Sequence, residues 1–280
     1  MADERVLLSP AKVNLYLKVV GKRPDGYHEL VSVVDVISLY DVLRVSSGGD
    51  GEVAVRDDKG LLPGGQANTI YRAIMLLRER CGRPDGVSVE VEKRIPLGSG
   101  LGGGSGNAAT VMKDLARAWG LSLTPDELSG LGRQVGADVP LFLYGKSCIM
   151  RGVGERITPI DLPEIWYVVV YPGVAISTAE VYRGLRIVLT NSENDVKFSG
   201  KFSKVADVAD ILENDLEAVA ISICPEIKTI KEQLRGSGAL GSLMSGSGSA
   251  VFGVFEDETG ARKASEEVGS LGSVFIAHSV

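Results

Sequence analysis

Six glycines fall within nine residues between Gly98 and Gly106, and no other stretch restricts the fold of this 280-residue chain so tightly. Glycine loses more backbone freedom on folding than any other residue, so a mere connector gains nothing from such a run. Upstream, Val87 to Glu92 alternates apolar and polar side chains, the period-two signature of a strand. Downstream, Ala108, Val111, Met112, Leu115 and Ala118 share one helical face and predict a helix over 107–119. Strand, glycine loop and helix in that order present free backbone N–H groups and the positive end of a helix dipole, with no side chain in the way. Phosphate is the ligand that such a turn suits.

Known phosphate motifs fit unequally. A Walker A loop needs a glycine, four residues, then Gly-Lys-Ser or Gly-Lys-Thr; here Gly145-Lys146-Ser147 has Pro140 where the first glycine belongs. A G-x-G-x-x-G match exists at Gly98, Gly100 and Gly103, but a dinucleotide unit runs from its helix into a second strand ending in an acid. Instead Thr124-Pro125-Asp126-Glu127 supplies a cap, a first-turn proline and a capping-box glutamate for a second helix that closes at Gly136. A nucleophile elbow, G-x-S-x-G, is absent from the sequence, and only His28 and His278 are on hand as imidazole bases. A second loop, Ser245 to Ser249, adds N–H and hydroxyl donors from the other half of the chain, which suggests a ligand held between domains.

Composition removes other classes. With 44% apolar and 24% charged residues the chain has the makeup of a folded protein. A net charge of -6 opposes a nucleic-acid partner, whose phosphates call for a basic face. Cys81, Cys148 and Cys224 are far apart, with no C-x-x-C pair, so neither a disulfide framework nor a structural zinc is expected, and no metal-ligating residues are assigned. The acidic start Met1-Ala2-Asp3-Glu4-Arg5 predicts no secretory signal, and no apolar run reaches membrane-spanning length, so a cytoplasmic protein with no membrane partner is expected.

Along the chain, apolar residues at 13, 15, 17 and 19 predict a strand that places Lys12, Asn14, Tyr16 and Lys18 on its other face. Asp25-Gly26 marks a turn, 30–43 reads as strand, and a surface excursion at 46–66 suggests a short hairpin around Glu52 to Arg56. Asn68 opens a helix over 68–80, with Ile70, Ala73, Ile74 and Leu77 on one face, ending near Gly82. Glycines and prolines at 152–163 predict the passage between two α+β domains, 1–156 and 157–280. In the second, 166–171 is an apolar strand, 190–204 a mobile loop, 207–221 and 225–235 helices, and 250–255 a strand followed by a helix from Glu258 and a last strand.

Three segments taken together resemble the GHMP kinase family: Ser9-Pro10-Ala11-Lys12-Val13-Asn14-Leu15, PLGSGLGGGSGNAA from Pro96 to Ala109, and LMSGSGSAVFGV from Leu243 to Val254. Within it, Arg23-Pro24-Asp25-Gly26-Tyr27-His28, Gly136-Ala137-Asp138-Val139-Pro140 and Gly152-Val153-Gly154-Glu155 resemble members whose acceptor is an alcohol linked to cytidine diphosphate. The resemblance implies a two-domain α+β fold with the active site in the inter-domain cleft, ATP and Mg2+ as cofactors, and a small-molecule partner bound by a monomer or homodimer. It implies Lys12 and Asp138 as the catalytic pair, Asp138 taking the proton of the attacking hydroxyl and Lys12 neutralising charge near the transferring phosphoryl group. Asn68, Pro96, Gly98, Ser99, Gly100, Leu101, Gly102, Gly103, Gly104, Ser105 and Gly106 match nucleotide-binding positions. Tyr27, His28, Lys93 and Tyr182 match positions around the cytidine, and Asn14 the far end of the acceptor. Taken without the resemblance, Asp138 reads as a turn former or cap and Lys12 as a solvated strand charge. One departure stands out: where the family often has a second serine this chain has Gly106, which removes a hydroxyl from the helix start and predicts weaker ATP binding. Other GHMP small-molecule kinases, acting on mevalonate, homoserine or sugars, and a non-catalytic nucleotide sensor on the same scaffold are the alternatives.

Overall fold

The structure, a computed structural model, describes residues 4–24, 26–48, 51–185 and 202–280. Asp25 and most of the loop expected at 190–204 lie outside them. The chain forms two compact units, each built from three stretches: Met1–Ala11, Tyr40–Ile95 and Gly102–Gly145 in the first, Lys12–Leu39, Pro96–Leu101 and Lys146–Val280 in the second. Two long strands, β1 (Arg5–Lys22) and β2 (His28–Gly48), each contribute residues to both.

In the first unit, β2 pairs antiparallel with β4 (Gly86–Glu92) from Val42↔Glu92 to Gly48↔Gly86. Strand β3 (Val53–Asp57) pairs with β4 in parallel, Val53↔Val87 to Asp57↔Val91, so the expected hairpin is not formed. A parallel pair needs a crossover, and α1 (Thr69–Cys81) supplies it. Asn68 caps α1 and Gly82, at φ 61°, ends it; Ile70, Ala73, Ile74 and Leu77 are buried, as their spacing predicts. Helix α2 (Gly103–Ala118) starts four residues earlier than its apolar face implies, inside the glycine block, behind Gly102 at φ 73°. It packs on α1 and on α4 (Val139–Tyr144). Helix α3 (Pro125–Val135) carries the predicted capping box: Thr124 Oγ1 accepts from the Glu127 amide at 3.2 Å, and Glu127 accepts from the Thr124 amide at 2.8 Å. Such a cap contributes about 1 kcal/mol.

In the second unit, β1 pairs in parallel with the two-residue β8 (Glu213–Asn214), and β2 pairs antiparallel with β5 (Cys148–Gly152). The glycines at 152–154 turn β5 into β6 (Arg156–Pro159), a hairpin that sequence periodicity did not reveal. A separate antiparallel sheet has the order β11 (Ser273–His278), β7 (Trp166–Tyr171), β10 (Val251–Phe255), β9 (Gly241–Met244). Helices α8 (Glu226–Gly236) and α9 (Glu258–Glu267) pack on it, burying Ile227, Ile230 and Leu234 with Val168, Val170 and Val251. Burying each such side chain fully is worth about 1.5–3 kcal/mol. Helix α5 (Thr178–Gly184) follows β7. The helix expected over 207–221 is broken into α6 (Val205–Ala209) and α7 (Glu217–Ile223) around β8. Tertiary hydrogen bonds override local propensity there: Asn214 Nδ2 donates to the Met244 and Gly246 carbonyls at 2.8 Å each, and Asp215 accepts from the Val19 amide at 2.8 Å. Among the described residues no helix is long and apolar enough to cross a membrane.

Candidate functional site

The glycine block divides at residue 101, its first part belonging to the second unit and the rest to the first. In the first part, four consecutive carbonyls are anchored. Gly98 O accepts from Ile176 N at 3.4 Å and Ser99 O from Ala250 N at 3.0 Å. Gly100 O accepts from Lys12 Nζ at 2.7 Å and Ser245 Oγ at 3.0 Å, and Leu101 O from Lys12 N at 3.0 Å. A loop whose carbonyl oxygens are all held by its own protein shows an anion none of that negative charge. Packing also explains the glycines: a Cβ on Gly98 would lie 2.9 Å from Ala175 Cβ, and one on Gly100 would lie 2.0 Å from Ser245 O. Ser99 is buried with its hydroxyl on Pro96 O at 2.7 Å, and Leu101 is buried.

Lys12 is only 4% exposed. Its ammonium donates to Asn14 Oδ1 at 2.5 Å as well as to Gly100 O, so the lysine read from sequence as a strand-face charge is bonded to the glycine loop 88 residues away. Asn14 in turn donates from Nδ2 to Ser32 Oγ at 2.8 Å, and Ser32 donates to Tyr16 O at 2.7 Å. The second loop is buried around this cluster: Ser245 and Ser249 are fully buried and Ser247 pairs with Thr178 Oγ1 at 2.8 Å. It braces the first loop instead of presenting a surface of donors.

In the first unit, the amides of Gly103, Gly104 and Ser105 have no carbonyl four residues back within α2, the ordinary condition of a helix start. Gly106 N already donates to Gly102 O at 2.9 Å, so the block offers three such donors there. A Cβ on Gly103 would press on Ile95 at 2.9 Å and one on Gly106 on Pro10 O at 2.7 Å. Gly104 alone of the three glycines from 103 to 106 has room for a methyl group, its nearest neighbour being Thr69 Oγ1 at 3.5 Å. Asn68, expected at the nucleotide, accepts from the Ile70 and Tyr71 amides and donates to Pro63 O at 3.0 Å. Asp138 occupies the N-cap position of α4, half-buried, yet its carboxylate makes no capping bond to that helix. Of the two ordinary readings, the cap is not made, while the turn is: Asp138 lies in the turn closed by Val139 N on Gly136 O at 3.2 Å.

Beneath the start of α2 lies a buried ion pair that sequence reasoning missed. Asp41 Oδ1 accepts from the Arg94 and Ile95 amides at 2.8 Å each, and Oδ2 accepts from the Lys93 ammonium and from Asn107 Nδ2 at 2.9 Å. Both charged side chains are almost wholly enclosed, and a Cβ on Gly103 would reach within 3.4 Å of Lys93 Nζ. Lys93 was expected at the cytidine; in the structure its ammonium is engaged with Asp41. The signal available was an acid at 41 in the otherwise apolar run from Leu39 to Leu43.

In the second unit the structure does bring His28 and Tyr182 together: their rings stack with centroids 5.0 Å apart and planes 25° from parallel. Burial, aided by the charge of Lys22, lowers the His28 imidazole below its ordinary 6.5, so the ring is neutral at physiological pH. Tyr27 is 65% exposed. Among the described residues no group of three His, Cys, Asp or Glu side chains is placed to hold a metal ion.

Two family models match the chain, GHMP kinases N terminal domain over residues 68–146 and GHMP kinases C terminal over 201–274. The chain is 44% identical over 264 residues to the 4-diphosphocytidyl-2-C-methyl-D-erythritol kinase of Syntrophotalea carbinolica, covering 94% of each. It is 41% identical over 272 residues to the enzyme of that name from Geobacter sp. (strain M21), covering 97% of this chain and 96% of the relative. A crystal structure of 4-(cytidine 5'-diphospho)-2C-methyl-D-erythritol kinase superposes with a TM-score of 0.79 at 37% identity over 98% of both chains. The chain belongs to the GHMP kinase family and, within it, to the 4-diphosphocytidyl-2-C-methyl-D-erythritol kinases.

Proposed function

We propose that the chain transfers the γ-phosphoryl group of ATP to the 2-hydroxyl of 4-diphosphocytidyl-2-C-methyl-D-erythritol, as the names of its relatives suggest, in the cytoplasm. The observation that carries the reading is the Lys12 ammonium bonded to Gly100 O at 2.7 Å, a buried cation fixed to the phosphate-type loop. Phosphoryl transfer needs little covalent help from a protein; positioning and charge neutralisation supply most of the acceleration. The amides of Gly103, Gly104 and Ser105 suit the triphosphate, whose terminal oxygens they meet as donors at a helix start. Mg2+ would be carried on the ATP phosphates, neutralising their charge, with the Ser105 hydroxyl as a protein oxygen within the same turn.

Asp138 then accepts the proton of the 2-hydroxyl as it attacks, a role for which a carboxylate not engaged in capping is suited. Lys12 offsets the negative charge that develops. The paired rings of His28 and Tyr182 offer a flat face for the cytosine, and a neutral imidazole can both donate and accept toward its Watson–Crick edge. The test is ADP release with Mg-ATP and the cytidyl alcohol beside mevalonate, homoserine and a sugar. Turnover of the cytidyl alcohol alone is expected, and Asp138→Asn should lower kcat by about 10²–10⁴-fold with ATP still bound. Turnover of another alcohol in its place rejects the substrate; full activity in the Asn variant rejects the base.

A further inference from the structure

We propose that Ser245, in the second glycine-serine loop, is a positioning residue that aims the Lys12 ammonium. The inference rests on the reading of Lys12 given above and adds how its side chain is held. Lys12 Nζ donates to Asn14 Oδ1 and Gly100 O, and one hydroxyl ties both of their residues down. Ser245 Oγ accepts from the Asn14 amide at 3.3 Å and donates to Gly100 O at 3.0 Å. These links join residues 231 and 145 positions apart, so the hydroxyl closes a ring between β1, the first loop and the second.

Ser245 is itself immobilised. It is fully buried, its amide donates to Ala250 O at 2.9 Å, and its carbonyl accepts from Gly248 N at 3.0 Å. Asn214 holds the carbonyls on either side, Met244 O and Gly246 O. The next residue completes the fit: a Cβ on Gly246 would lie 3.1 Å from Lys12 Nζ and 3.3 Å from Asn14 Oδ1, so the loop abuts the ammonium and leaves no slack. A lysine chain has four freely rotating carbons, and a cation serving phosphoryl transfer must sit within about 0.5 Å of its productive place. Strand β1 and the bond from the Lys12 amide to Leu101 O hold the backbone of Lys12; the Ser245 ring holds the far end of its side chain. Ser245 reaches the reaction only through Lys12 and Gly100, which is why it is a positioning and not a catalytic residue.

Steady-state kinetics of Ser245→Ala test this. Loss of the hydroxyl is expected to lower kcat by about 10- to 100-fold while the KM values for ATP and acceptor stay within about 3-fold, because the misplaced group acts on the transition state and not on ground-state binding. Ser245→Thr, which keeps the hydroxyl, should recover kcat to within about 5-fold, and Gly246→Ala, which crowds the ammonium from a backbone at φ 56° that disfavours a side chain, should lower it as Ser245→Ala does. The deciding measurement is the double variant: in a Lys12→Met background Ser245→Ala should have no further effect on kcat. Full activity of Ser245→Ala, or the same loss in both backgrounds, overturns the positioning role with that of Lys12 intact. An unimpaired Lys12→Met enzyme overturns the reading on which it rests.

Discussion

Gly104 and Thr69 stand far enough apart that a methyl group on Gly104 would come no nearer than 3.5 Å to the Thr69 hydroxyl. Gly104 lies inside α2 with helical geometry, where glycine is about 1 kcal/mol worse than alanine. No contact within the first unit accounts for that loss, whereas close approach of a phosphate would. Gly104→Ala is therefore expected to stabilise the fold by about 0.4–1 kcal/mol in urea titrations and to raise the KM for ATP by at least about 10-fold. A more stable variant with an unchanged KM would place the triphosphate elsewhere.

Gly106 is the opposite case. Sequence alone suggested that the missing serine at this position weakens ATP binding, yet a Cβ there points at β1, 2.7 Å from Pro10 O and 3.1 Å from Ser9 Oγ. Ser9 Oγ is buried with no hydrogen-bond partner among the described residues, so a serine at 106 would gain about 1 kcal/mol from that hydroxyl. Overlap with a strand backbone costs about 1–3 kcal/mol and wins. Gly106→Ser is expected to lower the urea midpoint and to leave the KM for ATP no tighter than in the natural chain. A clear fall in that KM would restore the sequence-based expectation.

These two glycines show where sequence reading reached its limit. The capping box at Thr124 and Glu127 and the buried face of α1 were legible because the interacting residues lie within a turn or two of each other. The α+β class, the glycine loop and the resemblance followed from equally local patterns. Pairing of β3 with β4 was not legible, because parallel partners are chosen by a crossover and not by a turn between them. Nor were the polar networks: Asp35 takes hydroxyls from residues 112, 132 and 244 positions away, and Asp41 meets Lys93 across 52. An isolated aspartate in an apolar strand signals that a partner exists but not which.

The stacked pair His28 and Tyr182 separates acceptor binding from chemistry. Removing an aromatic face that stacks on a base loses about 0.5–1.5 kcal/mol, so Tyr182→Ala should raise the KM for the cytidyl alcohol by up to about 10-fold with kcat within about 2-fold. The imidazole adds a pH signature. Burial, then Lys22, lowers its value below 6.5, so it stays neutral at neutral pH and charges only further into acid. The KM for the acceptor should accordingly be flat above 6.5 and rise only below it. A KM that climbs on the alkaline side, or that ignores the loss of Tyr182, would remove both rings from the base site.

Asp35 offers a prediction about stability in which the sign is opposite to that of an ordinary paired carboxylate. It is fully buried and accepts hydroxyls from Ser147, from Tyr167 at 2.6 Å and from Ser279 at 2.7 Å. Burial raises its carboxyl above 3.8; the three hydroxyls and the Val36 amide pull the value down without offsetting the burial. The folded protein thus holds this proton more tightly than the unfolded chain does. Its contribution is complete below 3.8 and is lost as pH rises from there through the folded value. Asp35→Asn keeps an acceptor for the hydroxyls and cannot titrate, so it isolates the effect. Urea unfolding of both proteins from about pH 4 to about pH 8 should show the stability of the natural chain falling relative to that of the variant as pH increases. A natural chain that instead gains stability relative to the variant as pH rises would mean that the carboxylate is stabilised as an anion, and that the three hydroxyls outweigh its desolvation.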